Sequence, residues 1–208
     1  MCGRIALITE LSVLKKEFEI YEDASDFTPG WNINPGQYIP ALVNSQGRNR
    51  LESFLWGFIP SWAKDPGRQG SINARAETVS IRPSFRDAFR KRRCLIPVDG
   101  FYEWQKNNGK KIPLYFSMKS GLPFGLAGIF ETWTAQNHRT PLITCAIITT
   151  EPNELIKPIH NRMPAIVPRQ FINKWLGSGN DSSVLLSILR PYPSEEMELR
   201  VGIGPDFA

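Results

Sequence analysis

The chain is poor in the residues that build metal centres and disulfide frameworks: of 208 residues, three are cysteine and two histidine. Cys2, Cys94 and Cys145 are odd in number and far apart, which argues against a disulfide-stapled scaffold and for a reducing compartment. No CxxC or HxxxH spacing occurs, and His138 and His160 stand well apart, so no metal site is expected. Long apolar runs are missing too. Nothing approaches the roughly 18 residues of a membrane-spanning helix. The first thirty residues lack the basic start and apolar stretch of a signal peptide. A cytoplasmic location is expected, or a nuclear one in a nucleated source, with no membrane partner. Repeats, low-complexity linkers and composition breaks are also lacking, which leaves one domain over residues 1–208.

What is present is ordinary for a globular chain: 41% hydrophobic and 22% charged residues. Seventeen prolines and sixteen glycines, spread throughout, exclude a long-helix bundle. The expected class is α+β, with a mixed, barrel-like β-sheet flanked by short helices. A net charge of +5 permits nucleic-acid binding without demonstrating it.

Along the chain, 3–8 reads as a strand. Residues 11–20 read as an amphipathic helix, with Leu11, Leu14 and Phe18 at helical spacing. Residues 25–37, with Pro29, Gly30, Pro35 and Gly36, read mostly as loop. Strands follow at 38–43 and 50–57, joined by a turn starting at Gln46-Gly47. Residues 58–80 look irregular. Pro83 opens a short helix to about Lys91 that carries Phe85 and Phe89 on one side. CLIPV, FYEWQ and IPLYFSM are β-rich, with Asn108-Gly109 marking a hairpin between the last two. FGLAGIFETW and TPLITCAIITT add two strands, and 168–176 and 182–190 read as helices.

Four segments carry chemistry. Met1-Cys2-Gly3-Arg4 is the first: aminopeptidases remove an initiator Met before a small residue, which would leave cysteine at the N-terminus. Its α-amine (pKa about 7.7–8.0) and thiol (about 8.5) then sit on adjacent carbons. Such a 1,2-aminothiol captures aldehydes, the amine forming an imine on which the sulfur closes to a five-membered thiazolidine. The second segment, 71–78, holds Asn73, which can donate and accept, and Arg75, whose planar fork suits phosphate. In the third, 99–104, strand alternation puts Glu103 on the face of Phe101 and Gln105, with Tyr102 and Trp104 opposite. Desolvation by aromatic neighbours would raise its pKa and fit it to proton transfer. The fourth, 159–164, offers His160 as acid or base and Arg162 as a second phosphate ligand. Each residue also has a plain structural reading: a small core thiol, a self-bonded polar loop, an exposed strand glutamate, a structural histidine.

Taken in order, MCGR at 1–4, WNINPGQ at 31–37, WGFIPSWAK at 56–64, INARAET at 72–78, RRCLIPVDGFYEW at 92–104, AGIFE at 127–131 and IHNRMPAIV at 159–167 resemble the SRAP family (SOS response-associated peptidase domain) over most of the chain. The resemblance implies an abasic-site sensor that crosslinks to the ring-opened sugar through a Cys2 thiazolidine. Asn73 and Glu103 match active-site polar residues, and His160 matches a histidine assisting imine chemistry and crosslink reversal. Arg4, Arg75 and Arg162 match phosphate-holding positions, and Asn32 a loop residue near DNA. Trp56, Pro60 and Trp62 match an apolar platform beside kinked DNA. Lyase and self-processing peptidase activities are also implied. The implied partner is single-stranded DNA or a DNA junction carrying abasic sites, bound by a monomer that joins the nucleoid when on DNA, with no cofactor. Two departures stand out. Asn34 replaces a usual Ala, and ELRVGIGPDFA at 198–208 does not follow the family's usual ending. Two competing readings remain: a non-covalent binder of single-stranded or modified DNA, and an N-terminal-nucleophile amidohydrolase, which would also begin Met-Cys-Gly.

Overall fold

In order along the chain, the computed structural model has β1 (Ile5–Leu7), α1 (Leu11–Glu17), β2 (Ile20–Asp23), β3 (Gly30–Ile33), β4 (Tyr38–Ser45), β5 (Arg48–Trp56), β6 (Asn73–Arg75), α2 (Ala76–Val79), α3 (Arg86–Lys91) and β7 (Arg93–Val98). Then follow β8 (Gly100–Asn107), β9 (Lys110–Met118), β10 (Phe124–Trp133), β11 (Leu142–Thr150), β12 (Met163–Pro164), β13 (Ile166–Val167), α4 (Ile172–Leu176), α5 (Ser182–Ile188) and β14 (Met197–Val201). The structure describes residues 2–25, 28–64, 70–107, 109–134, 140–179, 181–202 and 204. His138 and Asn108 lie outside the described residues.

Strands β11, β10, β7, β4 and β5 are neighbours in that order, and β5 returns to pair with β11 through Leu55 and Trp56, closing a five-stranded barrel. That closing pair is parallel while the other four are antiparallel, so the barrel is mixed. Beside it lies an antiparallel sheet in the order β14, β9, β8, β1, β3. Barrel strands β4, β7, β10 and β11 are buried on both faces over most of their length, whereas β5 alternates. On β7, Leu95 joins the helices and their cluster, while Cys94, Ile96 and Val98 join the cluster that also holds Ile5, Phe101 and Phe116 of the second sheet. Double burial explains the near-continuous apolar runs in the sequence, since alternation disappears when neither face meets water.

The expected α+β barrel is therefore present, with several boundaries moved. Among the described residues 25–37 is mostly loop, as expected, but it contains β3, which pairs Gly30 with Leu7 and Ile33 with Ile5. The irregular stretch 58–80 contains β6 and α2, and β6 exists because β11 offers it a parallel partner. The helix expected at 11–20 stops at Glu17, and Glu19 turns the chain with φ 51°. Pro83 precedes the helix rather than opening it, but Phe85 and Phe89 are both buried. At Gln46-Gly47 both residues have positive φ, the geometry of a two-residue hairpin turn. The first residues of the atypical ending, Glu198 to Val201, belong to β14, which pairs with β9 from Met197 to Val201, while 203 and 205–208 lie outside the described residues.

The chain crosses from barrel to second sheet at Asp99. Its carboxylate accepts from the backbone N–H of Ile8 (2.6 Å) and Thr9 (2.8 Å) and from the Thr9 hydroxyl (2.5 Å), tying off the end of β1. Gly100 follows because any Cβ there would run into the Tyr115 ring. Among the described residues, no helix is long and apolar enough to cross a membrane.

Candidate active site

Strand parity on β8 sorts its side chains as the sequence predicts. Phe101 packs in the cluster that contains Cys2, while Tyr102 packs with Ala6 and Tyr115, and Trp104 against them. Glu103 shares parity with Phe101 and is 4% exposed. Antiparallel pairing of Ile5 with Phe101 is prolonged by a hydrogen bond from Tyr102 N–H to the Arg4 carbonyl (3.0 Å), which lays the start of the chain along β8. Cys2 is fully buried there.

All three thiols are buried and pushed above the ordinary cysteine value. Their surroundings differ. Cys94 and Cys145 feel burial, and Cys94 also feels Cys145, inside the apolar core. For Cys2, burial is the largest cause and the charge of Glu103 adds to it, while a backbone hydrogen bond from Arg4 opposes. Glu103 is itself raised, first by burial, with the nearby charge of His160 pulling the other way. Cys2, Glu103 and His160 thus form one electrostatic unit drawn from chain start, middle and end.

The remaining polar groups gather at the end of β11. β6 runs beside it with Asn73 opposite Ile147 and Arg75 opposite Thr149, and β12 pairs on its other edge at Thr149 and Thr150. Asn73 Nδ2 donates to the Ile147 carbonyl (3.4 Å), while its buried Oδ1 has no partner. Arg75 is exposed. His160 Nδ1 lies 2.9 Å from the Arg162 N–H and 3.1 Å from the Arg162 carbonyl. On the other side of β8, Arg4 Nη1 donates to Asn32 Oδ1 (2.5 Å), with its guanidinium carbon 5.2 Å from the Trp104 ring centre. Asn34, the departing residue in WNINPGQ, donates to the Asn32 carbonyl (3.2 Å) and Oδ1 (3.3 Å), so it braces a site residue.

Two sequence expectations are corrected. Trp56 cannot belong to a surface platform: it is fully buried, with Nε1 donating to the Ile72 carbonyl (3.0 Å). Trp62 is 67% exposed and Pro60 half-buried, in a turn held where Trp133 Nε1 donates to the Ala63 carbonyl (2.7 Å). Arg162 does not reach outward for phosphate. It grips both carboxylate oxygens of Glu77 (2.6 and 3.0 Å) and the Thr149 carbonyl (2.5 Å). Sequence reasoning missed Glu77 and Thr149 as partners. Glu77 lies inside INARAET and could have been flagged there, whereas nothing in the sequence marks Thr149. Among the described residues, no group of three or more His, Cys, Asp or Glu stands where it could hold a metal ion.

A family model described as SOS response associated peptidase (SRAP) matches residues 1–201. The chain is 42% identical over 203 residues to the abasic site processing protein YoqW of Bacillus subtilis (strain 168), covering 95% of this chain and 90% of that one. It is 32% identical over 182 residues to the abasic site processing protein HMCES of Gallus gallus, covering 72% of this chain and 54% of that one. A crystal structure of a protein from Bacteroides thetaiotaomicron, 29% identical, superimposes with a TM-score of 0.87 over 99% of this chain and 93% of that one. The buried cysteine at position 2, the barrel packed beside its sheet and a family match that runs from Met1 almost to the end have one common explanation: this chain belongs to the SRAP family.

Proposed function

We propose that the protein processes abasic sites in DNA by crosslinking to them through Cys2 once Met1 has been removed. The observation that carries this reading is the burial of Cys2 beside Glu103, with His160 close enough for its charge to act on the carboxyl. Relatives named abasic site processing proteins supply the lesion.

The α-amine of Cys2 adds to the C1′ aldehyde of the ring-opened sugar, forming a carbinolamine. Glu103, which burial inclines to keep its proton, protonates the departing hydroxyl, so one water leaves and an iminium forms. The Cys2 sulfur adds to the iminium carbon, and its proton passes to the Glu103 carboxylate. The thiazolidine and the protonated carboxyl result, with one water lost overall. A buried neutral thiol suits this order, because sulfur is needed only after the imine exists and gives up its proton as it bonds. Asn73 Oδ1, buried and without a partner, accepts from a sugar hydroxyl or the imine N–H on this reading. His160 serves the reverse opening of the ring. That reversal and lyase action draw on the same groups, and the chemistry needs no cofactor.

Exposed Arg75 holds phosphate without reading sequence, and Trp62 offers a stacking surface, which favours single strands or junctions over intact duplex. A monomer bound at DNA suffices. The test mixes purified protein with single-stranded DNA containing one abasic site, followed by denaturing electrophoresis and intact-mass analysis. The expected product has the mass of protein lacking Met1 plus DNA minus one water. Salt-sensitive binding without that product, with Met1 removal confirmed, would replace this reading by a non-covalent binder. Glutamine turnover with ammonia release would instead favour the amidohydrolase.

A further inference from the structure

Arg162 is held at both ends. Its guanidinium is clamped by Glu77 and the Thr149 carbonyl, in an ion pair whose side chains are 14% and 45% exposed respectively. Partial burial alone would raise the Glu77 carboxyl, but the hydrogen bonds and charge of Arg162 hold it below the ordinary carboxylate value. At its other end, Arg162 presents its own N–H and C=O to one atom, His160 Nδ1, at 2.9 and 3.1 Å.

That double presentation has a chemical consequence. When Nδ1 is bare it accepts the Arg162 N–H, and the ring's proton sits on Nε2. When Nδ1 carries a proton it donates to the Arg162 carbonyl, and Nε2 is either bare or, in the imidazolium, protonated. Nε2 can therefore alternate between donor and acceptor while the ring stays still. The arrangement works only if the Arg162 peptide is fixed to within a fraction of an ångström. The peptide belongs to a short segment leading into β12, where little regular structure holds it. Bidentate geometry gives the clamp from α2 the needed directionality.

We propose that Glu77 is a positioning residue: by gripping the Arg162 side chain it fixes the peptide that serves His160 Nδ1 in either tautomer, so that Nε2 can gain and lose a proton in place. This rests on the proton-transfer role given to His160 above. It also reassigns Arg162, from a ligand of the DNA backbone to the link between Glu77 and the histidine.

The experiment compares wild type with Glu77→Ala and Glu77→Gln by two measurements. The first is two-bond proton–nitrogen NMR of the imidazoles. The chain has two histidines, and His160 is the one whose signals vanish in His160→Gln. Wild type should show one sharp His160 set, because a single fixed peptide serves Nδ1. Glu77→Ala should show broadened or doubled His160 signals with mixed tautomers, and Glu77→Gln, which keeps one acceptor for Arg162, an intermediate pattern. The second is single-turnover crosslinking to abasic single-stranded DNA. Glu77→Ala should slow the saturated rate by about 10- to 100-fold, with the half-saturating DNA concentration unchanged. His160 signals in Glu77→Ala identical to those of wild type would overturn the proposal whether or not wild type crosslinks. Absence of crosslinking in wild type would instead count against the function proposed above and leave the NMR result to decide this one. Should Glu77→Ala fail to fold, the half-exposed Glu77→Gln site carries both readouts.

Discussion

Arg75 and Arg162 look alike in sequence and should behave oppositely on DNA. Arg75 is exposed at the end of β6, and no ion pair holds it among the described residues, whereas Arg162 is spent on Glu77 and Thr149. Each phosphate neutralised on a single strand contributes about −0.7 to the slope of log affinity against log salt. Arg75→Ala should therefore shallow that slope by about 0.7. Raising salt from about 50 to about 200 mM, a factor of four, then weakens the variant about 2.6-fold less than wild type. Arg162→Ala should leave the slope unchanged and instead lower stability, because Glu77 and the Thr149 carbonyl lose their shared donor. Fluorescence anisotropy of labelled, lesion-free single strands across a salt series measures both variants. Equal slopes for Arg75→Ala and wild type, or a shallower slope for Arg162→Ala, would refute the assignment.

The two tryptophans of WGFIPSW separate in the same way. Trp56→Ala should cost about 3–5 kcal/mol of stability, whereas Trp62→Ala should leave the denaturation midpoint alone and cost about 1–3 kcal/mol of single-strand affinity. A thermally wild-type Trp56→Ala would contradict its burial. Glu103→Gln should slow single-turnover crosslinking by about 100-fold or more, and it should change the pH dependence of stability. Because burial raises the Glu103 pKa, the folded chain binds this proton more tightly than the unfolded chain, and stability falls as pH rises through the raised value. The Gln variant lacks that loss, so its stability relative to wild type should grow as pH rises above the ordinary glutamate value of about 4.3. Urea midpoints read the sign, and a relative decline would sink the argument. Arg93, 6% exposed, donates to the carbonyls of Phe89, Arg90, Trp175 and Gly177 and faces no carboxylate in those contacts. Arg93→Met should cost about 3–5 kcal/mol, since several carbonyls lose a charged donor, and a denaturation loss under about 1 kcal/mol would show that water replaces it.

What the sequence made legible was local. Alternation along β8 correctly set Glu103 on the Phe101 face, and two positive-φ residues stand where Gln46-Gly47 signalled a turn. What it hid was decided by distant partners. β3 forms between Gly- and Pro-rich flanks because β1 pairs with it, and no property of residues 30–33 announces that. The grip of Glu77 on Arg162 spans 85 positions, so Arg162 read alone looked like a phosphate ligand and Glu77 drew no reading at all. Trp56 and Trp62 share one motif, and only the parallel closure of the barrel at Trp56 decides which of them is buried.

The place of β1 inside its sheet, between β3 and β8, also sets a clock. Cys2 is lodged by pairing with a strand that begins at Gly100, so the nascent chain cannot finish that arrangement until β8 has been made. At about 5–20 residues per second, the ribosome needs roughly 5–20 s to add those residues. During that interval the first residues are loose and open to a trimming peptidase. Afterwards Cys2 is fully buried. On the function proposed above, removal of Met1 by a peptidase becomes a race between synthesis and trimming, and slowing translation or moving β8 earlier by circular permutation should change the fraction of molecules that mature with a usable thiol.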